Sequence, residues 1–456
     1  MRNQSERTPL EESILEKLRP TGMQLVLLGR FYSLIRRSVS ECLKYQNLEA
    51  LVEAQGSYAK GTLLSDKWEL DVFVLFKGVD RDWILRNSRE VLEDCVGGRI
   101  PYTTRYAQHP YLTLHYMGLE ADLVPAIYAE KPGTGLGVER TPFHTRYVRR
   151  KLSERPWLAD DVRLLKSFLK GIGAYGAEAS IGGFSGYLAE LLVIHYGGFR
   201  KVLEAAANWR PPIYIDLEGE GDPGFLKSKY RDSPLIVVDP VDPERNAAAA
   251  VTLEKLAIFI VASRIYLKRP CPMFFHVESR SVELSITDTN RVLVVELSGD
   301  YFDLPRDALL GRLRRLESFI ADSLREHGFP VIRSDYSTDE ATRAAVFVEL
   351  ESTRLPPVQA TEGPPAWASW DRIERFIKKR LKEGGWAWIG AEGSLVGLRP
   401  RRISDVLELV RSIVANAPIP RNTSSVRVYL GGDARGWARR ALQEFIGGLP
   451  AWIGCI

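Results

Sequence analysis

The chain has 456 residues, 45% of them hydrophobic and 26% charged, so it can fill more than one hydrophobic core, and its composition excludes general disorder. A formal net charge of +4 is too small to indicate nucleic-acid binding by itself. Charged residues such as Glu190 and Arg264 interrupt the apolar stretches, and the N-terminal segment lacks the apolar run of a signal peptide, so neither a membrane span nor export is predicted.

Cysteine and methionine are rare, with four of each, beside many arginines and prolines, a composition that suits a thermophile. The four cysteines lie far apart in the sequence and form no CxxC pair; they are Cys42, Cys95, Cys271 and Cys455. This spacing predicts neither a zinc site nor a disulfide framework, and it favours a reducing cytoplasm as the location.

The first third of the chain predicts helices that lead into a small mixed α/β domain. Apolar residues recur every three or four positions from about residue 10 to 55, which is typical of amphipathic helices. Residues 70–76 form a short apolar run that predicts a buried strand. Further strands are predicted at 102–106, 111–116 and 119–124, before a loop at 131–135.

The rest of the chain predicts a helical region followed by α+β units. Amphipathic helices are expected at 162–170 and 187–196, and a long apolar helix at 247–267 follows the proline-rich turn at 239–243. Beyond them, strand-like runs alternate with basic helices. The strands are predicted at 292–297, 345–350, 386–389 and 426–430, the helices at 306–326 and 371–382, and a connecting loop at 356–365.

The strongest local signal is a glycine-rich turn, residues 56–62 (GSYAKGT), followed by Glu69 and Asp71. Residues i and i+2 of a strand face the same side, so the two carboxylates project together and need a cation such as Mg²⁺ between them. A third carboxylate, Asp122, lies in the strand predicted at 119–124, with apolar neighbours for the buried face. Three carboxylates can hold two metal ions, which bind the attacking and leaving oxygens of a phosphoryl transfer.

The turn itself has the features of a phosphate-binding loop. Gly56 and Gly61 free the backbone, Ser57 offers a hydroxyl and an N–H, and Lys60 adds a positive charge. A Glu-x-Asp pair beside a Gly/Ser turn is common on its own, and it is the addition of Ser57 and Asp122 that makes the functional interpretation the favoured one.

With these residues in place, the chain resembles the archaeal class I CCA-adding enzymes, which belong to the nucleotidyltransferase superfamily. The resemblance covers roughly residues 50–260, and the C-terminal third is similar only in its order of strands and basic helices. Beyond the turn it is carried by residues 106–111 (YAQHPY), 140–144 (RTPFH), 162–170 (VRLLKSFLK), 173–178 (GAYGAE), 183–190 (GFSGYLAE) and 238–246 (VDPVDPERN).

The resemblance implies a role for each matching position. It implies metal ligation by Glu69, Asp71 and Asp122, and selection of C or A with the help of Arg245. His109 matches a position near the primer end. Phosphate and nucleotide contacts are implied for Ser57, Lys60, His144, Lys166 and Tyr175.

Most of the implied contacts also have an ordinary structural interpretation. Lys166 lies on an amphipathic helix, where most lysines are solvated. A lone histidine such as His144 is more often a packed or capping residue, Tyr175 can be core packing, and His109 beside a proline can shape a turn. Arg245 is a stronger candidate, because the two prolines before it reduce the freedom that its guanidinium loses on being fixed.

The predicted function is template-independent addition of C, C and A to the 3′ end of tRNA from CTP and ATP, with release of pyrophosphate. One alternative is another RNA polymerase of the superfamily, such as a poly(A) polymerase, because the catalytic turn is shared. A second is a non-catalytic RNA-binding relative, which should have lost a carboxylate or Ser57. The partners are therefore tRNA, ATP and CTP, with a homodimer as one option for an oligomeric state that the sequence does not fix.

The predicted fold class is α+β and multidomain, with four parts. Residues 1–138 form a nucleotidyltransferase-type head with a mixed sheet, and 139–268 form a helical central domain. A body of residues 269–304 and 366–456 and a tail of residues 305–365 complete the chain. Basic residues of the C-terminal region are expected to contact tRNA phosphates and 2′-hydroxyls.

Overall fold

A computed structural model describes residues 7–106, 110–131, 138–178, 181–275, 279–281, 288–302 and 304–455. The chain forms two compact units, one of Met1–Ser279 with Pro450–Ile456 and one of Arg280–Leu449. Both units combine sheets and helices, which confirms the multidomain α+β class. Within the described ranges, no helix is both long and apolar enough to cross a membrane.

The first part of the larger unit is a mixed five-stranded sheet with helices on one face. Its elements are α1 (Pro9–Leu18), α2 (Gly22–Tyr45), β1 (Ala50–Gln55), α3 (Gly56–Lys60), β2 (Glu69–Phe76), α4 (Arg81–Val96), β3 (Tyr102–Tyr106), β4 (Pro110–Tyr116) and β5 (Leu119–Ile127). The strand order is β1-β2-β5-β4-β3, with β2 and β5 parallel and all other neighbours antiparallel. Apolar residues of α2 and α4 pack against alternate residues of β2 and β5.

The predicted strands of this sheet are confirmed, and the buried run at 70–76 is β2. The helical lead-in is confirmed as α1 and α2, but residues 50–55 at its end are strand β1 and not helix. These residues pair with Asp71–Phe76 of β2, and a helical spacing of apolar residues does not reveal such a distant strand partner.

The second part of the larger unit is mainly helical. Its elements are α5 (Thr141–Glu154), α6 (Leu158–Gly171), α7 (Gly186–Tyr196), α8 (Phe199–Ala206), β6 (Ile213–Ile215), α9 (Pro223–Lys229), β7 (Leu235–Asp239), β8 (Asp242–Asn246) and α10 (Leu253–Lys268). The helices predicted at 162–170 and 187–196 are confirmed as α6 and α7. The predicted start of the next helix at residue 247 is wrong, because the Asn246 side chain binds the backbone of Val237 and Ala248 and holds a turn there.

The described residues of the smaller unit form two sheets of three or more strands, and the short strands β9 and β17 pair with each other. Its elements are β9 (Ser279–Ser281) at the boundary, β10 (Val292–Gly299), α11 (Arg306–Glu326), β11 (Val331–Thr338), β12 (Arg343–Leu350), β13 (Val358–Pro365), α12 (Trp370–Lys382), β14 (Trp386–Ile389), β15 (Ser394–Pro400), α13 (Val406–Ile413), β16 (Thr423–Leu430), α14 (Gly436–Gly447) and β17 (Gly448–Pro450). A sheet of order β11-β12-β10-β16 has α11 and α13 on one face and α14 on the other. A second sheet of order β13-β15-β14 packs against α12.

The connecting loop predicted at 356–365 is wrong for most of its length, because Val358–Pro365 forms β13. β13 is an edge strand, and an edge tolerates prolines, which in the sequence favour a loop. The division of the chain into four domains stays a prediction. In the structure, β11 and β12 from the predicted tail share a sheet with β10 and β16 from the predicted body.

The expectation that the cysteines form no disulfides is wrong. Cys42 on α2 bonds to Cys95 on α4, and Cys271 bonds to Cys455. The pairs are 53 and 184 residues apart in sequence, and only the packing of the larger unit brings them together. The spacing of the cysteines therefore no longer supports a reducing compartment, although intracellular proteins of hyperthermophiles are an established exception to the rule.

Candidate active site

The three predicted catalytic carboxylates lie on two adjacent strands of the first sheet. The parallel register of β2 and β5 pairs Asp71 with Asp122 and Glu69 with Glu120. Their apolar neighbours, including Leu70, Ala121 and Leu123, are buried on the opposite face, as the alternation of a strand predicts. We call Glu69, Asp71 and Asp122 the carboxylate pocket; they line a cavity of about 200 Å³ together with Leu70, Arg105, Tyr111, Thr113 and Glu120.

Crowding of like charges is evident at this pocket. Asp71 is exposed by surface area, but protein atoms surround its carboxylate closely, and this desolvation raises its pKa. The neighbouring Asp122 raises the pKa of Asp71 further, whereas Lys60 acts in the opposite direction. Desolvation also raises the pKa of Asp122, although the Thr113 hydroxyl donates to it at 2.7 Å. A cation between Asp71 and Asp122 would favour their charged forms and so lower both pKa values.

The donor set of the carboxylate pocket suits a hard divalent cation, because such ions prefer carboxylate oxygens. In the structure, Lys67 Nζ lies 2.8 Å from Glu69 Oε2, and Thr113 occupies one oxygen of Asp122. Throughout the described ranges, no three His, Cys, Asp or Glu side chains are already gathered around one point as metal ligands. A bound cation would therefore compete with Lys67 for Glu69.

The glycine-rich turn contacts the pocket directly. It forms the short helix α3, which starts at Gly56 with φ 63° and is capped by Gly61 with φ 71°, both in the left-handed region that favours glycine. A Cβ atom on Gly56 would lie 1.7 Å from Asp71 Oδ2. Only glycine therefore allows the backbone of the turn to approach this carboxylate. Ser57 follows on the same turn and is half-buried.

Behind the turn, two of the predicted phosphate-binding lysines share one buried carboxylate. Lys60 Nζ donates to Glu190 Oε2 at 2.8 Å, and Lys166 Nζ donates to Glu190 Oε1 at 2.9 Å. The Thr62 hydroxyl donates to Glu190 Oε1 at 2.7 Å and accepts from Lys166 at 3.0 Å. We call these four residues the lysine cluster. Lys166 is therefore a buried, bonded residue and not a solvated surface lysine.

A second buried carboxylate, Asp239, connects the other predicted contacts. Its Oδ2 lies 2.9 Å from His144 Nε2 and accepts from Arg245 at 2.7 Å. Its Oδ1 accepts from the Tyr187 hydroxyl at 3.0 Å. Burial lowers the pKa of His144 although Asp239 acts against this, which favours a neutral ring. The pKa of Asp239 is lowered in turn, because the hydrogen bond from His144 and the charge of Arg245 outweigh its desolvation.

The predicted binding residues thus form one continuous set. The Lys60 ammonium lies 5.1 Å from the ring centroid of Tyr187, which stacks on His144 at 4.0 Å between centroids. A Cβ atom on Gly186 would lie 2.9 Å from the Tyr175 hydroxyl and 3.7 Å from Lys166 Nζ, so these two side chains converge there. The prediction for His109 lies outside the described residues.

Sequence reasoning gave no role to several residues that connect this set. Glu190, Asp239, Tyr187 and Thr62 lie in the sequence segments that carry the resemblance or in the glycine-rich turn. Their bonding partners are 24 to 130 positions away in all but one of the hydrogen bonds described above. One signal was visible for Glu190. It is the one acidic residue of the otherwise apolar segment 186–194, and a glutamate in such a helix must be paired if it is buried.

Comparison with protein families agrees with this arrangement. Residues 35–158 match the nucleotidyltransferase domain, and residues 160–276 match the second domain of tRNA nucleotidyltransferases. Residues 291–420 match the C-terminal domain of CCA-adding enzymes. The three matches follow one another along the chain and include every predicted site residue.

Individual relatives align over nearly the whole chain. The CCA-adding enzyme of Aeropyrum pernix is 47% identical over 422 residues, which cover 92% of this chain and 90% of the relative. The CCA-adding enzyme of Saccharolobus solfataricus is 36% identical over 97% of this chain and its own full length. Among solved structures, the Cid1 poly(U) polymerase aligns with a TM-score of 0.48 and 15% identity, over 60% of this chain and 100% of that chain.

Proposed function

The chain belongs to the family of CCA-adding enzymes, which are tRNA nucleotidyltransferases, and from this membership we propose that it adds C, C and A to the 3′ end of tRNA from CTP and ATP without a nucleic-acid template. The observation that carries the proposal is the turn at Gly56, whose backbone lies against Asp71 while Lys60 extends from the same turn into the lysine cluster. One short segment thus joins a place for metal ions to a place for phosphates.

Nucleotidyltransferases in general use divalent metal ions, and we propose Mg²⁺ held by Glu69, Asp71 and Asp122 for this chain. When bound, such ions lower the pKa of the attacking 3′-hydroxyl and neutralise charge on the leaving pyrophosphate. The carboxylates position the reacting end of the RNA, and their placement on two neighbouring strands keeps them fixed relative to each other.

The remaining predicted residues bind and select the nucleotide in this proposal. Ser57, Lys60, Lys166 and Tyr175 contact or orient the phosphates, since they lie on or behind the turn. Arg245 and His144 read the base edge, and Asp239 limits their freedom by binding both side chains. A base that does not match these fixed donors and acceptors would leave them unpaired, and it would be rejected for that reason.

Extension of a tRNA that lacks its terminal CCA tests the proposal. Each nucleoside triphosphate is supplied alone and then CTP is supplied with ATP, and we expect C addition from CTP and completion only with both. Asp71→Asn should lower the rate by about a thousandfold, because metal-ion stabilisation is worth several kcal/mol. The control is Glu49→Gln, which likewise neutralises one carboxylate but lies outside the pocket, where Glu49 pairs with Lys77 at the other end of the β1–β2 pair. Equal incorporation of UTP, or an unaffected Asp71→Asn variant, would contradict the proposal.

Location and assembly are part of the proposal as well. A cytoplasmic location follows from the tRNA substrate, and the two disulfides are compatible with it if the organism is a hyperthermophile. The homodimer is also a proposal, and sedimentation velocity of the purified chain tests it: a single monomer peak at micromolar concentration would exclude a stable dimer.

A further inference from the structure

Glu190 is a fully buried acidic residue on the apolar helix α7, and no step of nucleotidyl transfer requires a carboxylate there. Its side chain is 2% exposed, and both of its oxygens are occupied. Oε2 accepts from Lys60, whereas Oε1 accepts from Thr62 and Lys166. A buried carboxylate is costly unless it is fully paired, so this bonding pattern is specific.

The contacts of Glu190 fix the turn that carries the predicted phosphate ligands. Lys60 and Thr62 belong to the end of this turn, and Glu190 binds both. Arg163 on α6 holds the same segment by donating to the carbonyl oxygen of Gly61 at 2.7 Å and to that of Leu63 at 2.9 Å. The position of the turn therefore depends on side chains from α6 and α7.

The charges of the lysine cluster do not balance. Two ammonium groups share one carboxylate, which leaves one surplus positive charge. Burial would raise the pKa of Glu190, but Lys166 and Lys60 outweigh this and lower it. Burial lowers the pKa of Lys166 despite the adjacent Glu190. The lowered pKa of Glu190 thus reflects the two ammonium groups beside it, and the phosphates of a nucleotide would supply the negative charge that this one carboxylate does not.

We propose that Glu190 is a positioning residue for nucleotide binding, which holds Lys60 and Lys166 so that their surplus positive charge is fixed where the terminal phosphates of the nucleotide lie. The inference rests on the proposed function, because it takes a nucleoside triphosphate as the substrate. Glu190 acts through its partners and does not touch the nucleotide.

Glu190→Gln tests this role, because it keeps the shape of the side chain and removes its charge. We expect CTP and inorganic tripolyphosphate to bind about tenfold more weakly in isothermal titration calorimetry without RNA, since hydrogen bonds to charged groups are lost. KM for CTP should rise by the same factor while kcat changes by less than about threefold. The matched control is Glu11→Gln. Glu11 is equally buried and binds Arg200 and Tyr266 outside the lysine cluster, so both ligands should bind as in the unmodified protein.

The pH dependence separates positioning from a merely structural role. Four titratable or charged side chains surround Lys166. Glu190 comes from α7, Lys60 from α3 and Arg163 from α6, which also carries Lys166, and the Tyr175 hydroxyl approaches Lys166 near Gly186. Since Glu190 raises the pKa of Lys166, its loss should lower that pKa further. As the pH rises, Lys166 should lose its proton earlier in Glu190→Gln, so the affinity for CTP should fall at a lower pH in this variant than in the unmodified protein. Glu190→Asp, which keeps the charge, should return the decline toward its original pH.

Thr62→Val provides a second test if Glu190→Gln does not fold. It removes the hydrogen bond that Thr62 donates to Glu190 and the one that it accepts from Lys166, without changing any charge, and tripolyphosphate should bind about threefold more weakly. Unchanged or tighter tripolyphosphate binding by folded Glu190→Gln or Thr62→Val would overturn the inference. Failure of the proposed function would look different: the unmodified chain would not extend tRNA, while both variants would still bind tripolyphosphate more weakly.

Discussion

The carboxylate pocket and the lysine cluster have opposite charge and opposite exposure to solvent. In the pocket, Glu69 and Asp71 are exposed, and carboxylates face one another across two strands. In the lysine cluster, Lys60, Lys166 and Glu190 are each less than a tenth exposed and are bonded to one another. The first region has surplus negative charge at the surface, and the second has surplus positive charge in the interior.

The two regions differ in exposure because their positive charges have different sources. Metal ions arrive from solution and bring the positive charge that the pocket needs, so its carboxylates must remain accessible. The lysines are part of the chain, and burial can arrange them before any ligand binds, which strengthens their attraction for phosphate in a setting with little water. A nucleoside triphosphate with its metal ion complements both regions at once.

After the loss of a carboxylate in Asp71→Asn, the next largest effect is expected where the two regions meet, at Gly56. In Gly56→Ala the new Cβ would overlap Asp71, since it would lie 1.7 Å from Oδ2, and either the turn or the carboxylate must move. A displacement of about 1 Å at a catalytic group can cost about a hundredfold in rate, and we expect a loss of that size in kcat for tRNA extension.

Gly61→Ala is the matched control for this variant. Gly61 also has a positive φ, of 71°, but an added Cβ would meet nothing within 4 Å. It should therefore lower the free energy of unfolding by about 1 kcal/mol, measured in urea, and leave kcat nearly unchanged. Equal kcat losses in the two variants would show that backbone strain, and not contact with Asp71, controls the rate.

A smaller effect is expected at Asp239, which connects the lysine cluster to base selection through Tyr187. Asp239→Asn removes the charge that holds His144 and Arg245, so discrimination between CTP and UTP should fall by about tenfold in kcat/KM. Asp242→Asn is the control, because Asp242 binds Arg140 instead. A uniform loss for all nucleotides in Asp239→Asn would assign it to folding and not to selection.

The smallest effect concerns Lys67, which forms an ion pair with Glu69 at the edge of the carboxylate pocket. Lys67→Met should lower the Mg²⁺ concentration for half-maximal activity by about two- to fivefold, because an exposed ion pair is worth at most about 1 kcal/mol. A titration of activity against Mg²⁺ measures it. A higher Mg²⁺ requirement would mean that Lys67 helps to bind the nucleotide and does not compete with the ion.

Much of the carboxylate pocket could be predicted from the sequence, because its residues belong to one turn and two short strands. The spacing of Glu69 and Asp71 already placed them on one face, and the apolar neighbours of Asp122 indicated which face is buried. Gly56 and Gly61 were expected to free the backbone of the turn, and both have a positive φ in the structure.

The lysine cluster could be predicted only in part. Lys60 was indicated by the glycine-rich turn and Lys166 by the resemblance, but no role was predicted for Glu190, because it meets Lys60 across 130 positions of sequence. The same limit explains the disulfides, whose cysteines are joined by packing and not by spacing. In β13 the prolines indicated a loop because sequence alone does not reveal that a strand lies at a sheet edge.

Sequencing the 3′ ends of the RNA product tests the central claim most directly. A tRNA without its terminal CCA is incubated with the unmodified chain, Mg²⁺ and all four nucleoside triphosphates in equal amounts, and the ends are read at several times. Addition should pass through C and CC, finish at CCA and stop. Tails of uniform A or U, or continued growth beyond A, would contradict the assignment and indicate a different polymerase of the superfamily.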